Sequence, residues 1–193
     1  MRNPDCEMVT EWWGASRPVL GPDQFATPNL RWVVSAMKNT KNCPRREVHY
    51  DSLEQMLGDA DRLAAAGART TGNWSMAQIF EHLATVLDKF VDGYGFTAPL
   101  PMRLVAKLFK QRALHHSLPA GYKLPSRAAV LLPAEEVDVA SALNHLHSAV
   151  GRFRAAAKLH PNPFLGQLTR EEATLLNLRH CELHMSFIEN PEG

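Results

Sequence analysis

The chain has 193 residues, of which 45% are hydrophobic and 21% charged, a balance typical of one globular domain. Its 21 Lys and Arg oppose 20 Asp and Glu, so the net charge of +1 provides no overall field for nucleic acid or an anionic membrane. Apolar runs are too short to cross a bilayer, and three scattered cysteines favour a reducing compartment over a disulfide framework. The sequence therefore predicts a cytoplasmic protein that binds neither nucleic acid nor membrane.

The N-terminal part differs from the rest of the chain. Prolines recur in residues 1–36, and four large aromatic side chains there follow neither a helical nor a strand period: Trp12, Trp13, Phe25 and Trp32. These aromatic residues either pack as an arm on the domain or belong to a poorly ordered tail, and Met37 is an alternative translation start. We assign residues 1–46 to a poorly ordered N-terminal extension and residues 47–190 to one domain.

Two helices are predicted in the first half of the domain. Asp51 is a candidate N-cap for the first helix, and Gly67 ends the apolar pattern that follows. The second helix begins at Ser75, where Gln78 completes a capping box, and it ends at Gly93.

The second half of the domain carries two more amphipathic helices. The third covers about residues 136–158. The fourth begins at Thr169, with Glu172 as its capping-box partner, and continues to Ile188. Because no comparable stretch alternates like a strand, the sequence predicts an all-α fold, an antiparallel four-helix bundle.

A long insertion separates the second and third predicted helices. Residues 93–135 are rich in proline, and one short amphipathic helix is predicted within them from Met102 to Ala113. A connection of this length far exceeds the roughly 2–8 residues usual in a bundle. The insertion is therefore either a functional lid or a packed structural crossover.

Histidine is abundant, with nine residues, and the pair on the fourth helix is the strongest chemical signal. His180 and His184 are one turn apart, so both imidazoles can reach one metal ion at about 2.0–2.1 Å. The pair also lies on the apolar stripe of its helix, where buried imidazoles need polar partners that a shared metal would supply. This spacing predicts a metal site.

A third ligand must come from another helix. His82 lies beside the apolar stripe of the second helix; such a residue is more often a hydrogen-bonded core histidine than a ligand, but a bundle brings facing helices close enough for it to meet the pair. His147 falls on the third helix's stripe and is the reserve ligand. His145 is expected in solvent, as are His115 and His116, although His115 is a second reserve ligand.

Other polar residues near the predicted ligands are expected to have lesser roles. Asn177, one turn before His180, is either a hydrogen-bonding group near the metal or a polar filler. Glu81 and Glu182 are rotated about 100° from their neighbouring histidines and are expected to be solvated, or to orient ligands at most. Cys181 is expected to be a small buried filler. His49 and His160 have no identifiable partner.

Three segments carry a resemblance to a known family. The stretch from Gly72 through Trp74 and His82 to Leu83, and the closing Leu178–His184, resemble the DinB/YfiT-like superfamily. The segment Leu118–Pro125 resembles, more closely, a DinB-related bacterial family of unknown function. The resemblance implies a four-helix bundle, often dimeric, with a metal held by one histidine of the second helix and the pair of the last. These positions correspond to His82, His180 and His184.

The resemblance also implies what the site does. Related proteins include metal-dependent transferases and isomerases that use low-molecular-weight thiols such as mycothiol or bacillithiol, so a small-molecule substrate or thiol and a homodimer are expectations. Three imidazoles leave one coordination position open, as in catalytic zinc sites; nickel, manganese and iron also accept these ligands. The alternatives are a metal-dependent hydrolase and a non-catalytic metal-binding bundle that binds a ligand or partner. Metal loss is expected on acidification through about pH 6.

Overall fold

A computed structural model describes residues 39–122 and 126–190, so the aromatic residues of the N-terminal extension lie outside the described part. Within these residues the protein is all-α: regular structure consists of six α-helices and one 3-10 helix, and β pairing is limited to isolated bridges. In chain order, the helices are α1 (Leu53–Ala65), α2 (Met76–Asp92), α3 (Leu100–Leu108), α4 (Lys110–His115), the 3-10 helix (Ser126–Leu131), α5 (Val139–Ala155) and α6 (Arg170–Met185).

Local capping fixes where the helices begin. The two predicted capping boxes are confirmed, at Ser75 for α2 and Thr169 for α6. The predicted cap at Asp51 is wrong by one residue. Ser52 adopts the extended conformation required of an N-cap, and its side chain accepts the hydrogen bond from the Gln55 backbone N–H.

Two helices are shorter than the apolar pattern predicted. The third predicted helix is α5, which begins only after the Asp138 N-cap and ends at Ala155. The fourth, α6, ends at Met185 instead of Ile188, because the chain turns there to pair with the loop before α2. The Thr71 N–H donates to the Phe187 carbonyl at 2.9 Å. An apolar pattern marks buried residues, and here it continues past the end of the helix.

The insertion differs most from its prediction. The single helix predicted from Met102 to Ala113 is two helices, α3 and α4, separated at Phe109. No side chain of α3 is buried, and its large apolar residues project outward. Its amphipathic pattern is present, but the apolar stripe does not face the core.

The core lies between α2, α5, α1 and α6. Helix α2 packs along α5 and also contacts α6, while α1 contacts both α5 and α6. The largest fully buried side chains come from these helices and include Phe80, Phe90 and Phe153. None of the helices in the described ranges is both long and apolar enough to span a membrane.

His145 lies in the seam between α2 and α5, although the sequence placed it in solvent. Its ring nitrogens lie 2.8 Å from Glu81 Oε2 and 2.8 Å from Asp88 Oδ2. Partial burial lowers the pKa of His145, whereas its hydrogen bonds to the two carboxylates raise it. Together the hydrogen bonds have the larger effect, so the pKa of His145 is raised overall. Glu81 is therefore half-buried and ion-paired, which corrects its expected solvation.

The packed region begins before residue 47. Arg46 forms an ion pair with Asp59 of α1, and its backbone N–H donates to the Ser186 carbonyl at 3.0 Å. These bonds tie the chain segment that precedes α1 to the end of α6.

Candidate metal centre

Three histidines from two helices converge at one point beside the core. His82 lies on α2, whereas His180 and His184 lie one turn apart on α6. The His180 Nε2 atom is 3.2 Å from the Nε2 of His82 and 3.0 Å from the Nε2 of His184. One ring nitrogen from each residue lies within 4.8 Å of the others. The structure therefore brings together all three predicted ligands; their binding to a metal stays a prediction.

The hydrogen bonding of His82 fixes its tautomer. Its Nδ1 lies 2.6 Å from the Leu131 carbonyl oxygen, which can only accept, so Nδ1–H is the donor. The neutral ring then presents the lone pair of Nε2 to the other two histidines. This is the arrangement found at metal sites, where the second nitrogen of a ligating imidazole donates to a carbonyl or carboxylate.

All three rings resist protonation. Burial lowers the pKa of His82, and burial together with the neighbouring His82 lowers the pKa of His180 to about 3. Burial and the other two rings lower the pKa of His184 as well. The cluster is therefore uncharged at neutral pH, and the imidazoles are in the state that binds metals.

Two of the three separations between the ring nitrogens fit binding to one ion. Two imidazole nitrogens bound at about 2.0–2.1 Å to a shared ion lie about 2.9–3.4 Å apart at octahedral or tetrahedral angles. The two short separations, 3.0 and 3.2 Å, fall in this range. Without an ion, the three close nitrogens cannot all form hydrogen bonds with one another, because each neutral ring has only one N–H to donate.

Trp74 forms one wall of the site, a role that sequence reasoning missed. Its ring stacks on His184 with centroids 5.3 Å apart and lies 4.8 Å from the His82 ring. The loop is held because the Thr70 hydroxyl donates to the Trp74 carbonyl at 2.8 Å. The available signal was its position directly before the Ser75 N-cap of the helix that carries His82.

The end of the insertion packs on α2, the helix that carries His82. Besides the Leu131 carbonyl, this segment supplies the Ala134 and Glu135 carbonyls, which accept from the Gln78 side-chain amide at 3.1 and 3.2 Å. The insertion therefore takes part in building the site, a contact that periodicity does not predict.

Neither reserve ligand reaches the cluster. His147 is exposed, and its Nε2 lies 2.8 Å from Asp61 Oδ1. The reason is rotational: the inward stripe of α5 is centred on Leu146, and the next residue is turned about 100° away. His115 is exposed at the end of α4. Among the described residues, no further His, Cys, Asp or Glu belongs to the three-histidine group.

Glu182 is buried, which corrects its expected solvation. Its Oε1 accepts the Tyr50 backbone N–H at 2.9 Å and pairs with Arg179 at 2.8 Å. His49, expected to lack a partner, lies 3.1 Å from the same oxygen. Because the segment before α1 crosses this side of α6, the helix is covered on both faces. Glu182 therefore anchors α6 to the start of the domain.

The remaining predicted neighbours are structural. Asn177 is buried, and its side-chain amide donates to the Ala173 carbonyl at 2.8 Å, a bond that matches the polar-filler alternative. Cys181 is buried as expected, and burial raises the pKa of its thiol to about 12. His160 lies against Gly93, and its backbone N–H donates to the Phe90 carbonyl at 2.7 Å.

Comparison of the chain with curated proteins and with solved structures gives no significant match. One family model does match, with the description "Protein of unknown function (DUF1569)", over residues 42–191. The match covers more than three quarters of the chain and includes all three histidines of the cluster. The chain therefore belongs to the DUF1569 family of proteins of unknown function.

Proposed function

We propose that this protein binds one divalent metal ion through His82, His180 and His184, and that the bound ion activates a small-molecule thiol for group transfer. The convergence of three neutral imidazole nitrogens, with 3.0 and 3.2 Å separations about His180, carries the proposal. Zinc is the expected ion, and nickel, manganese or iron would also accept this nitrogen donor set.

The order of the helices supports a DinB-like four-helix bundle. Helices α1, α2, α5 and α6 surround the core, and α3 and α4 belong to the insertion between the second and third of them. The second and the last of these four helices carry the three histidines, as in the DinB/YfiT-like superfamily. This correspondence supports membership of that superfamily and its thiol-dependent chemistry.

An incomplete set of protein ligands favours catalysis over a purely structural role. Structural zinc sites are closed by four protein ligands, whereas catalytic sites keep a position for water or substrate. His180 and His184 each keep part of their surface exposed to solvent. A bound divalent ion supplies Lewis acidity, which lowers the pKa of a coordinated thiol or water.

Residues around the three histidines orient them and pack against them. The Leu131 carbonyl orients His82, and Trp74 packs against two of the rings. Cys181, despite its position next to His180, is buried and its thiol is neutral, which argues against Cys181 as the activated thiol.

A non-catalytic metal-binding protein is the second candidate, and one observation favours it. The structure contains an open apolar cavity of about 380 Å³ between the insertion and Phe164, and none of the three histidines lines it. If this cavity is the ligand site, the metal ties α2 to α6 and does not touch the ligand. A hydrolase, in which the ion activates water, is a variant of the catalytic proposal.

Cobalt substitution tests the catalytic proposal. We expect the cobalt protein to change its visible absorption spectrum when a small thiol is added, because sulfur enters the open coordination position. The His82→Ala variant, treated identically, is the control. If no small thiol changes the cobalt spectrum, thiol activation is contradicted, and the hydrolase and the non-catalytic function are left.

The lowered pKa values predict how stability depends on pH. In the unfolded chain the three histidines titrate near about pH 6.5, whereas in the folded metal-free protein the pKa of His180 is about 3. Below about pH 6.5 the unfolded chain therefore binds more protons, and stability falls as the pH falls. We expect the Tm of metal-free protein to decrease continuously from pH 7 to pH 5.

The His184→Asn variant should weaken this pH dependence because one depressed group is removed. A Tm independent of pH in this range would show that the rings are not buried as described.

The same pKa shifts change the pH at which metal release is expected. Because protons compete less well for these ligands, release is expected below the pH 6 inferred from ordinary histidine.

A further inference from the structure

Helix α3 turns its apolar side away from the protein. Leu104 is 59% exposed and Leu108 is 80% exposed, while Arg103 and Ala106 lie on the half-buried side of the helix. The exposed apolar residues form a surface that we call the α3 face, made up of Leu100, Leu104, Val105, Leu108 and Phe109. A contiguous exposed apolar patch of this kind is typical of a docking surface.

The α3 face adjoins the apolar cavity of about 380 Å³. Val105 belongs to both, and the other side chains that line the cavity are Pro101, Met102, Ala106, Tyr122 and Phe164. The docking surface is therefore a ridge beside a depression, a shape that accepts large apolar side chains.

The described part of the chain begins next to this cavity. A Cβ atom placed on Gly121 would lie 2.6 Å from the Lys41 Cγ, so the aliphatic part of Lys41 crosses the backbone at Gly121. The following residue, Tyr122, lines the cavity. The 38 residues that precede Asn39 are thus tethered close to the α3 face.

This preceding segment supplies apolar side chains within reach. The stretch from Trp32 to Asn39, seven residue steps, spans at most about 25 Å when extended. Helix α3 has nine residues and is therefore about 14 Å long. Trp32, Val33 and Val34 lie close enough along the chain to reach the cavity, and Phe25, Trp13 and Trp12 lie farther back.

Charge argues against an anionic membrane as the occupant. Lys110 is paired with Glu172 at 2.6 Å, and Arg103 is half-buried. Lys107 and Arg112 remain as the exposed cations of α3 and α4. Segments that bind anionic lipid usually carry clusters of about 4–8 basic residues. A segment of the same chain has another advantage, because its covalent attachment raises its effective concentration at this face.

We propose that the N-terminal segment, residues 1–38, packs its aromatic side chains on the α3 face and into the adjoining cavity. The segment then covers apolar surface of the insertion that the described residues leave open. This inference does not depend on the metal centre, and its test separates the two.

The distribution of tryptophan provides a direct test. The chain has four tryptophans, so the Trp74→Phe variant of the full chain keeps Trp12, Trp13 and Trp32, all in the proposed segment. We expect the emission of this variant to be blue-shifted and its quenching by acrylamide to be severalfold weaker than in denaturant. Adding Leu104→Gln and Leu108→Gln should shift the emission to the red and increase quenching. Both leucines are exposed, so the fold should survive, which circular dichroism checks.

Two controls make the result specific. Ala155→Gln, at an exposed position on α5, should leave the emission unchanged. A complementary chain keeps Trp74 and carries Phe in place of Trp12, Trp13 and Trp32. The leucine substitutions should leave the emission of this chain unchanged. Because it retains Trp74, it also tests whether the substitutions disturb the fold if Trp74→Phe itself fails to fold. The proposal would be overturned if the tryptophans of Trp74→Phe emitted like solvent-exposed ones in the absence of denaturant. It would also be overturned if the Leu104→Gln and Leu108→Gln substitutions left their emission and quenching unchanged. Shielding that is lost on dilution would assign the face to a second copy, and shielding that needs phosphatidylglycerol vesicles would assign it to a membrane.

Discussion

We expect wild-type protein to bind about one metal ion per chain and the His180→Ala variant to lose it. His180 holds the central position, because its Nε2 lies 3.2 Å from that of His82 and 3.0 Å from that of His184. Loss of a hydrogen-bonding partner behind a ligand typically costs about 10–100-fold in affinity, so loss of a ligand should cost more. Metal content after dialysis against trace zinc, measured by mass spectrometry, checks this expectation.

His147→Ala is the matched control for this experiment. His147 is exposed and pairs with Asp61, so its removal should leave the metal content unchanged. His184→Ala should behave like His180→Ala. Full occupancy of either of these two variants at neutral pH would show that the ion binds elsewhere, provided that circular dichroism confirms a folded chain.

The Glu182→Ala variant is expected to lose about 3–5 kcal/mol of unfolding free energy, the usual cost of removing one partner of a buried ion pair. Glu182 is 4% exposed and Arg179 is 7% exposed, so the substitution leaves a buried guanidinium without its charge partner. It also removes the acceptor of the Tyr50 N–H. Chemical denaturation of the metal-free protein measures the loss without interference from metal binding.

Three further variants identify the cause of this loss. Glu171→Ala changes an exposed carboxylate on the same helix and should cost about 0.5 kcal/mol or less. Glu182→Gln keeps a hydrogen-bond acceptor but not the charge, so its free energy of unfolding should lie between those of wild type and Glu182→Ala. The double variant Arg179→Met with Glu182→Leu should recover part of the loss, because no charge then stays unpaired in the interior. Equal stability of Glu182→Ala and Glu171→Ala would contradict the buried pairing.

Features that depend on a few neighbouring residues could be predicted from the sequence. The capping boxes at Ser75 and Thr169 each involve residues three positions apart, and the His180–His184 pair needs only one helical turn. In each case the interaction is complete within a single element. Tertiary structure can therefore neither create nor remove it without unfolding that element.

Features that need a partner from a distant part of the chain could not be predicted. Helix α6 ends early because Phe187 pairs with Thr71, and Glu182 is buried because the Tyr50 segment crosses it. The helix period cannot distinguish His145 in a seam from His147 in solvent when the neighbouring helix is unknown. In α3 the apolar pattern correctly indicates an amphipathic helix, but it carries no information on which side faces the core.

The most direct test of the central claim is anomalous X-ray diffraction at the absorption edge of the metal from crystals of the metal-loaded protein. A single peak at about 2.0–2.1 Å from the Nε2 atoms of His82, His180 and His184 is the predicted result. A metal peak bonded to other side chains, or fully loaded protein in which His82 does not contact the ion, would contradict it.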